Sequence, residues 1–236
     1  MNLLQELKKE TLIWLLRQAG RYMPEYMNIR KESSDFLDLC YDTKKIEIVT
    51  LQPIRRFDLD MAIIFSDILI IPDALGWKVS FEKNEGPVLE SIKEEKCLEK
   101  LNNKFDQRIN NIYQAISNVR SSLQKGKHLI GFAGAPWTVA CYMIDGKNKK
   151  DFQESKLLAI RNKQLMKKII NILTYATIEH LKNQIKAGAD IVMIFDSWSG
   201  LLVNELYEEL VIEPTRNIVE KVRQSFQNIP IIGFHR

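Results

Sequence analysis

Two arginines four residues apart, Arg17 and Arg21, stand in the stretch WLLRQAGRYMPEY, which runs from Trp14 to Tyr26. If the stretch is helical they share a face, and Trp14, Leu15, Leu16, Tyr22 and Tyr26 would bury much of it. A guanidinium stays charged at any working pH, so two of them in apolar surroundings require anions. Surface acids would serve. So would the carboxylates or phosphates of a ligand, which the planar fork of arginine grips bidentately where lysine offers a point charge. Asp67 closes the run AIIFSD. It reads either as the cap of a following helix or as a desolvated carboxylate that accepts N–H groups and stabilises positive charge in a substrate. Tyr142 follows GAPWT and reads as a packing residue or a ligand contact. Ser197 lies in FDSWSG, without the strained GxSxG elbow and with no evident histidine partner. That argues against a hydrolase triad and leaves helix capping or a polar contact to a ligand.

These residues sit where apolar runs end. MAIIF (61–65), HLIGFAG (128–134), DIVMIFD (190–196) and IPIIGF (229–234) read as short buried strands. Ile109, Ile112, Ile116, Val119 and Leu123 recur at helical spacing, and Gly126 ends that helix. A long helical region is expected over about 151–187, with Ile169, Ile172, Leu173, Ala176, Leu181 and Ile185 along one side and Gly188 as its stop. A third helix opens at Glu213–Pro214 and carries Ile218, Val219, Val222 and Phe226. Apolar strands alternating with amphipathic helices predict a parallel sheet covered on both faces, either doubly wound or a (β/α)8 barrel. Each strand runs into polar or special residues: Ser66–Asp67, Ala135–Pro136–Trp137, Asp196–Ser197. Proteins of this class place their chemistry at that end of the strands. No GxGxxG or Walker A pattern occupies these turns, so nucleotide phosphates are not expected as ligands.

With 236 residues, 45% hydrophobic and 27% charged, the chain has the composition of a globular protein. A net charge of +4 on scattered lysines gives no stripe for nucleic acid, and Lys147, Lys149 and Lys150 read as a solvated loop. Cys40, Cys97 and Cys141 form no CxxC pair, and His128, His180 and His235 complete no metal-ligand spacing. This predicts reduced thiols, a cytoplasmic setting and no zinc. The opening MNLLQELKKETLIWLL carries Glu6 and Glu10 and lacks a small-residue cleavage site, so it is not expected to be a signal peptide. No apolar run reaches the roughly 18 residues of a membrane span.

RQAGRYMPEY, FSDIL, GFAGAPWT followed by Tyr142, and FDSWSG occur in this order between about Trp14 and His235. Together they resemble the successive signatures of the uroporphyrinogen decarboxylase family. The resemblance implies a (β/α)8 barrel, usually a homodimer, with a deep cleft at the C-terminal strand ends. It implies a cyclic tetrapyrrole substrate whose acetate side chains lose CO₂ with neither cofactor nor metal. It further implies that Arg17, Gln18, Ala19, Gly20 and Arg21 line the substrate and that Asp67 receives the pyrrole N–H groups. Tyr142 and Ser197 match further substrate contacts, and Phe132 and Phe195 match apolar positions near the pocket. Asp67, Arg17 and Arg21 would carry the catalysis.

Members of that family continue well past the point matching Arg236. The expectation is therefore a single incomplete barrel domain over 1–236, with a helical segment at 1–60 carrying the arginine motif and about four strand–helix units at 61–236. A half-barrel exposes apolar edges, which predicts a fragment or truncated product without activity as a lone monomer. The alternatives are an inactive remnant of the enzyme, or a related zinc- or cobalamin-dependent methyltransferase barrel, whose His/Cys ligand set this region does not supply.

Overall fold

The computed structural model describes residues 3, 11–82, 85–102 and 104–236; Glu6 and Glu10 lie outside these. From Thr11 on, three helices precede the first strand among the described residues. α1 (Pro24–Lys31) opens on a proline, with Glu25 in its first turn and Arg30 and Lys31 in its last, each sign matching the helix dipole. α2 (Phe36–Tyr41) is capped by Asp35, which accepts from the Asp38 N–H. α3 (Thr43–Phe57) is capped by Asp42, which accepts from the N–H groups of Lys44 and Lys45.

The arginine motif lies ahead of these helices, not on one. Residues 11–20 contain no helix, and Arg17 adopts a left-handed φ of 57°. The cause is local. A proline disfavours the helical region for the residue before it, and Met23, preceding Pro24, is extended at φ −96°, ψ 119°. The helix that opens at Pro24 therefore cannot extend back through Met23, and the left-handed Arg17 interrupts any helix within the motif itself. Burial also differs from the expectation: Leu15, Leu16 and Tyr22 are exposed, while Gln18, Met23 and Tyr26 are buried.

The remaining chain alternates as expected, with additions. β1 (Met61–Ile63) leads to α4 (Ile70–Ala74) and then to a hairpin, β2 (Val79–Glu82) and β3 (Gly86–Leu89). The sequence did not announce this hairpin, because its strands are short, half-buried and interrupted by charge. α5 (Ile109–Ser122) precedes β4 (His128–Gly134). The segment read as a turn after β4 is a buried helix, α6 (Pro136–Asp145), with proline in its first turn. The long helical region divides at Asn162 into α7 (Gln153–Arg161) and α8 (Lys163–Lys186), because the Asn162 side chain caps α8 by accepting from the Leu165 N–H. β5 (Ile191–Asp196) follows; α9 (Asn204–Tyr207) and one π turn (Glu208–Ile212) lead into α10 (Glu213–Ser225) and β6 (Ile231–His235).

β1, β4, β5 and β6 form one parallel sheet in that spatial order, which is also chain order. A doubly wound sheet reverses its order partway; a barrel does not. Four strands in unreversed order are about the first half of an eight-stranded barrel. Alternation along β5 shows its two faces. Val192 and Ile194 pack into the helical layer, whereas Ile191 and Met193 share the inner face with Met61 and Ile130, covered by Leu3, Leu12 and Trp14.

Gly134, at the end of β4, shows how tightly the layers meet above the sheet. A Cβ there would lie 2.7 Å from a methyl of Val139 on α6 and 2.8 Å from the Cβ of Ile68. Gly134→Ala is expected to destabilise the fold by about 1–3 kcal/mol through overpacking, read as a lowered midpoint in urea. An unchanged midpoint would mean that the loop carrying Asp67 yields easily.

Candidate active site

Asp67 lies in the loop between β1 and α4, and the loop is pinned on both sides. The Ile64 N–H donates to the Ile130 carbonyl at 2.9 Å, extending the parallel ladder by one residue. The Phe65 N–H donates to Thr50 Oγ1 at 3.0 Å. Asp67 Oδ1 then accepts from the Leu69 N–H at 2.8 Å. Thus the capping role is real, but it uses one oxygen; Oδ2 has no hydrogen-bond partner among the described residues. The carboxyl sits in a recess where loss of water pushes its pKa up to about 6, against the opposing pull of the Leu69 N–H and the Arg17 guanidinium.

Arg17 and Arg21 are exposed and make no ion pair among the described residues. Gln18 between them is 1% exposed and faces the other way. Its amide donates to the Met61 carbonyl at 2.5 Å and accepts from the Ile63 N–H at 3.0 Å, so one side chain satisfies the free edge of β1 as a neighbouring strand would. Its carbonyl accepts from the Tyr22 hydroxyl. The Met23 N–H donates to the Gly20 carbonyl at 3.0 Å, closing a turn over Ala19 and Gly20, both half-buried. With Gln18 anchored at the sheet edge, Arg17 lies near enough to Asp67 for its charge to act on the carboxyl.

Tyr142 comes from the last turns of α6. Burial raises its hydroxyl pKa first, the Trp198 indole opposes, and the Asp67 charge raises it while the Arg17 charge lowers it. Tyr142 therefore lies within electrostatic reach of both groups. Arg21 acts on Tyr26, whose ring packs 5.8 Å from that of Phe65, two residues before Asp67. Phe132 and Phe195 meet edge to face at 5.3 Å on the inner side of the sheet. Ser197, half-buried, follows β5. The structure thus brings Arg17, Asp67 and Tyr142 together, with Arg21 behind Tyr26 and the phenylalanines on the sheet below; the Gln18 side chain is committed to β1. Guanidinium groups, a largely desolvated carboxylate and apolar rings thus come from the ends of adjacent strands and the segment beside them, a chemistry that suits a flat, anionic ligand with N–H donors.

Residues 3–236 match the family described as Uroporphyrinogen decarboxylase (URO-D). The chain belongs to this family. It is 49% identical over 231 residues to the uroporphyrinogen decarboxylase of Rickettsia bellii, covering 98% of this chain and 68% of that one. It is 47% identical to that of Rickettsia felis, covering 99% and 68%. The Rickettsia conorii protein is 48% identical, covering 94% and 64%. The chain therefore spans about two thirds of the length of these uroporphyrinogen decarboxylases. A methyltransferase from Methanosarcina mazei shares the fold at a TM-score of 0.71 and 15% identity, over 98% of this chain and 68% of that structure. Identity that low speaks for the barrel architecture alone, and the decarboxylase family, a family of carboxy-lyases, is what the sequence matches support.

Two residues near the recess escaped the sequence reading. Arg30 holds its guanidinium 5.6 Å over the Phe36 ring, with no carboxylate partner among the described residues, in reach of Tyr26 and Cys40. A basic residue in the last turn of a helix reads as dipole matching, so nothing in the sequence set it apart. Phe234 extends the aromatic floor to β6, 5.8 Å from Phe195; the alternation of β6 would have placed it there. Of the three lysines read as a solvated loop, Lys149 instead pairs with the buried Asp145 at 3.3 Å. All three cysteines are free thiols. Among the described residues no group of three or more His, Cys, Asp or Glu gathers as metal ligands, and no helix is long and apolar enough to cross a membrane.

Proposed function

We propose that this recess binds uroporphyrinogen III and removes its four acetate carboxyls as CO₂, giving coproporphyrinogen III. One observation carries the reading: Asp67 follows β1, the helix carrying Tyr142 follows β4 and Ser197 follows β5, so three adjacent parallel strands bring these residues to the C-terminal edge of one sheet, with Arg17 near enough for its charge to bear on Asp67. Arg17 and Arg21, which make no ion pair among the described residues, hold substrate carboxylates. Ala19, Gly20 and the Gln18 backbone line the rim; Phe132 and Phe195 support the macrocycle from below; Ser197 adds a polar contact.

Loss of CO₂ leaves an electron pair on the acetate methylene carbon, and the pyrrole can receive it. Protonation of a ring carbon converts the pyrrole into an iminium-like cation. The methylene–carboxylate bond breaks, CO₂ leaves, and its electrons neutralise the ring as an exocyclic double bond. Protonation of that methylene and return of the ring-carbon proton give a methyl pyrrole. Asp67, ionised and accepting the pyrrole N–H through Oδ2, stabilises the cation, and does so more strongly in a desolvated recess than in water. The arginines position the macrocycle. The reading also takes the chain to be one domain over 1–236, working in the cytoplasm as a homodimer; size-exclusion chromatography tests the last point.

The assay is anaerobic incubation with uroporphyrinogen III and chromatographic separation of the oxidised products. Four-, five-, six- and seven-carboxyl porphyrins are expected; uroporphyrin alone, at enzyme concentrations equal to substrate, would refute the reading. A pH dependence follows from Asp67. Because its pKa is about 6 and the ionised form acts, kcat/KM should fall tenfold per unit below about pH 6. Asp67→Asn should abolish that limb along with most of the rate.

A further inference from the structure

Asp196 ends β5 pointing away from the recess, into the helical layer, and is 1% exposed. Its Oδ1 accepts from the hydroxyl of Thr138, 0% exposed, at 2.5 Å. The Thr138 oxygen in turn accepts from the Trp198 N–H at 3.1 Å. A hydroxyl has one proton, so its use on Asp196 leaves the oxygen free to take the Trp198 amide. Two more bonds join the same elements: the Trp137 indole N–H donates to the Trp198 carbonyl at 3.0 Å, and the Ala135 N–H to the Phe195 carbonyl at 2.8 Å. Ser197 is thus the residue bracketed by this lattice, between Asp196 and Trp198. On the other side, Thr138 and Tyr142 lie four residues apart on α6, one above the other. Trp198 packs 4.9 Å from the Phe152 ring, which packs 5.5 Å from Tyr142.

We infer that Asp196 is a positioning residue of the recess: acting through Thr138, it locks the turn after β5 to α6 and so sets Ser197 against Tyr142. The inference rests on the tetrapyrrole reading above, since it assigns Asp196 a part in holding that substrate. Stability alone does not account for the carboxylate. Asp196 Oδ2 is buried with no hydrogen-bond partner among the described residues, and a half-satisfied buried charge costs more than the neutral amide that could accept the same Thr138 bond. Desolvation raises the Asp196 pKa to about 6 despite Thr138 and the charge of His235 across on β6. Groups retained at a cost to folding concentrate where function requires them.

The experiment compares Thr138→Val, Thr138→Ser and Asp196→Ala in the whole chain. It reads uroporphyrin affinity by tryptophan quenching, uroporphyrinogen turnover, and hydrogen exchange of the Trp198 amide. Thr138→Val keeps the shape and removes both bonds. It and Asp196→Ala should each weaken kcat/KM by about tenfold or more, chiefly through KM, since removing a charged hydrogen bond is worth roughly one to two decades. Thr138→Ser should restore the value to near wild type. The double variant should be no worse than the worse single change, because both cut one chain of bonds. Faster Trp198 exchange in Thr138→Val with wild-type affinity and KM would overturn the inference, as would a Thr138→Ser no better than Thr138→Val. If Asp196→Ala does not fold, the near-isosteric Thr138 pair decides alone. A wild-type chain that neither binds uroporphyrin nor turns over uroporphyrinogen would instead sink the tetrapyrrole reading, and the exchange data would still report whether the lock exists.

Discussion

Asp67→Asn should cost about 10³-fold in turnover while making the protein harder to unfold at neutral pH. Both halves come from one feature, a carboxylate held in a recess with Oδ1 on the Leu69 N–H and Oδ2 without a hydrogen-bond partner among the described residues. Removing a preorganised group aimed at developing charge typically costs two to three decades; here the lost partner is a full negative charge beneath a cation. Asparagine keeps the Leu69 bond and the shape, so the loss would not come from a collapsed loop. The stability gain has a definite pH signature. Asp67 has a folded pKa raised from 3.8 to about 6, so the folded state binds its proton more tightly than the unfolded state does. Wild-type stability therefore falls as pH rises from about 4 to about 6, and the full penalty applies above that. The asparagine variant lacks the penalty. Its advantage in melting temperature should be largest above pH 6 and vanish toward pH 4, as scanning calorimetry across that range would show. An Asp67→Asn variant less stable than wild type at pH 7.5 would mean that the carboxylate is stabilised by interactions other than those described.

The strands and most helices were legible because burial on both faces leaves an unbroken apolar signature. HLIGFAG is β4 residue for residue, and IVMIFD is β5. The site was legible in its members but not in its construction. The arginine spacing suggested a helix face, but the left-handed backbone at Arg17 breaks such a helix, and Pro24 keeps Met23 from joining the motif to α1. The resemblance puts Gln18 along the ligand with its neighbours; its amide also closes the edge of β1, a role that no local pattern encodes because its partner lies 43 residues away. Asp196 stood in plain view inside FDSWSG and was passed over. Its direction depends on strand parity, and parity cannot be counted until the strand is fixed in register.

Arg17 separates folding from function most cleanly. Its φ of 57° places a residue bearing a Cβ in the left-handed region, which costs a non-glycine residue roughly 1–2 kcal/mol. A conformational cost at an exposed cation that makes no ion pair among the described residues points to use of that cation elsewhere. Arg17→Gly relieves the strain but frees the unfolded chain, and the two effects oppose each other, so the melting temperature should move by only a few degrees. The substrate's carboxylate, however, loses a bidentate partner worth about 2–4 kcal/mol, which corresponds to a roughly 30- to 1,000-fold fall in kcat/KM. Arg17→Lys should recover only part of this, because the charge returns without the fork. The Asp67 carboxyl adds an independent signature: with the nearby guanidinium gone, its pKa should rise further, carrying the acid limb of the pH–rate profile upward with it. A limb that stays in place in Arg17→Gly would show that the two side chains do not share the recess, and the grip on the macrocycle would have to come from Arg21 and Arg30.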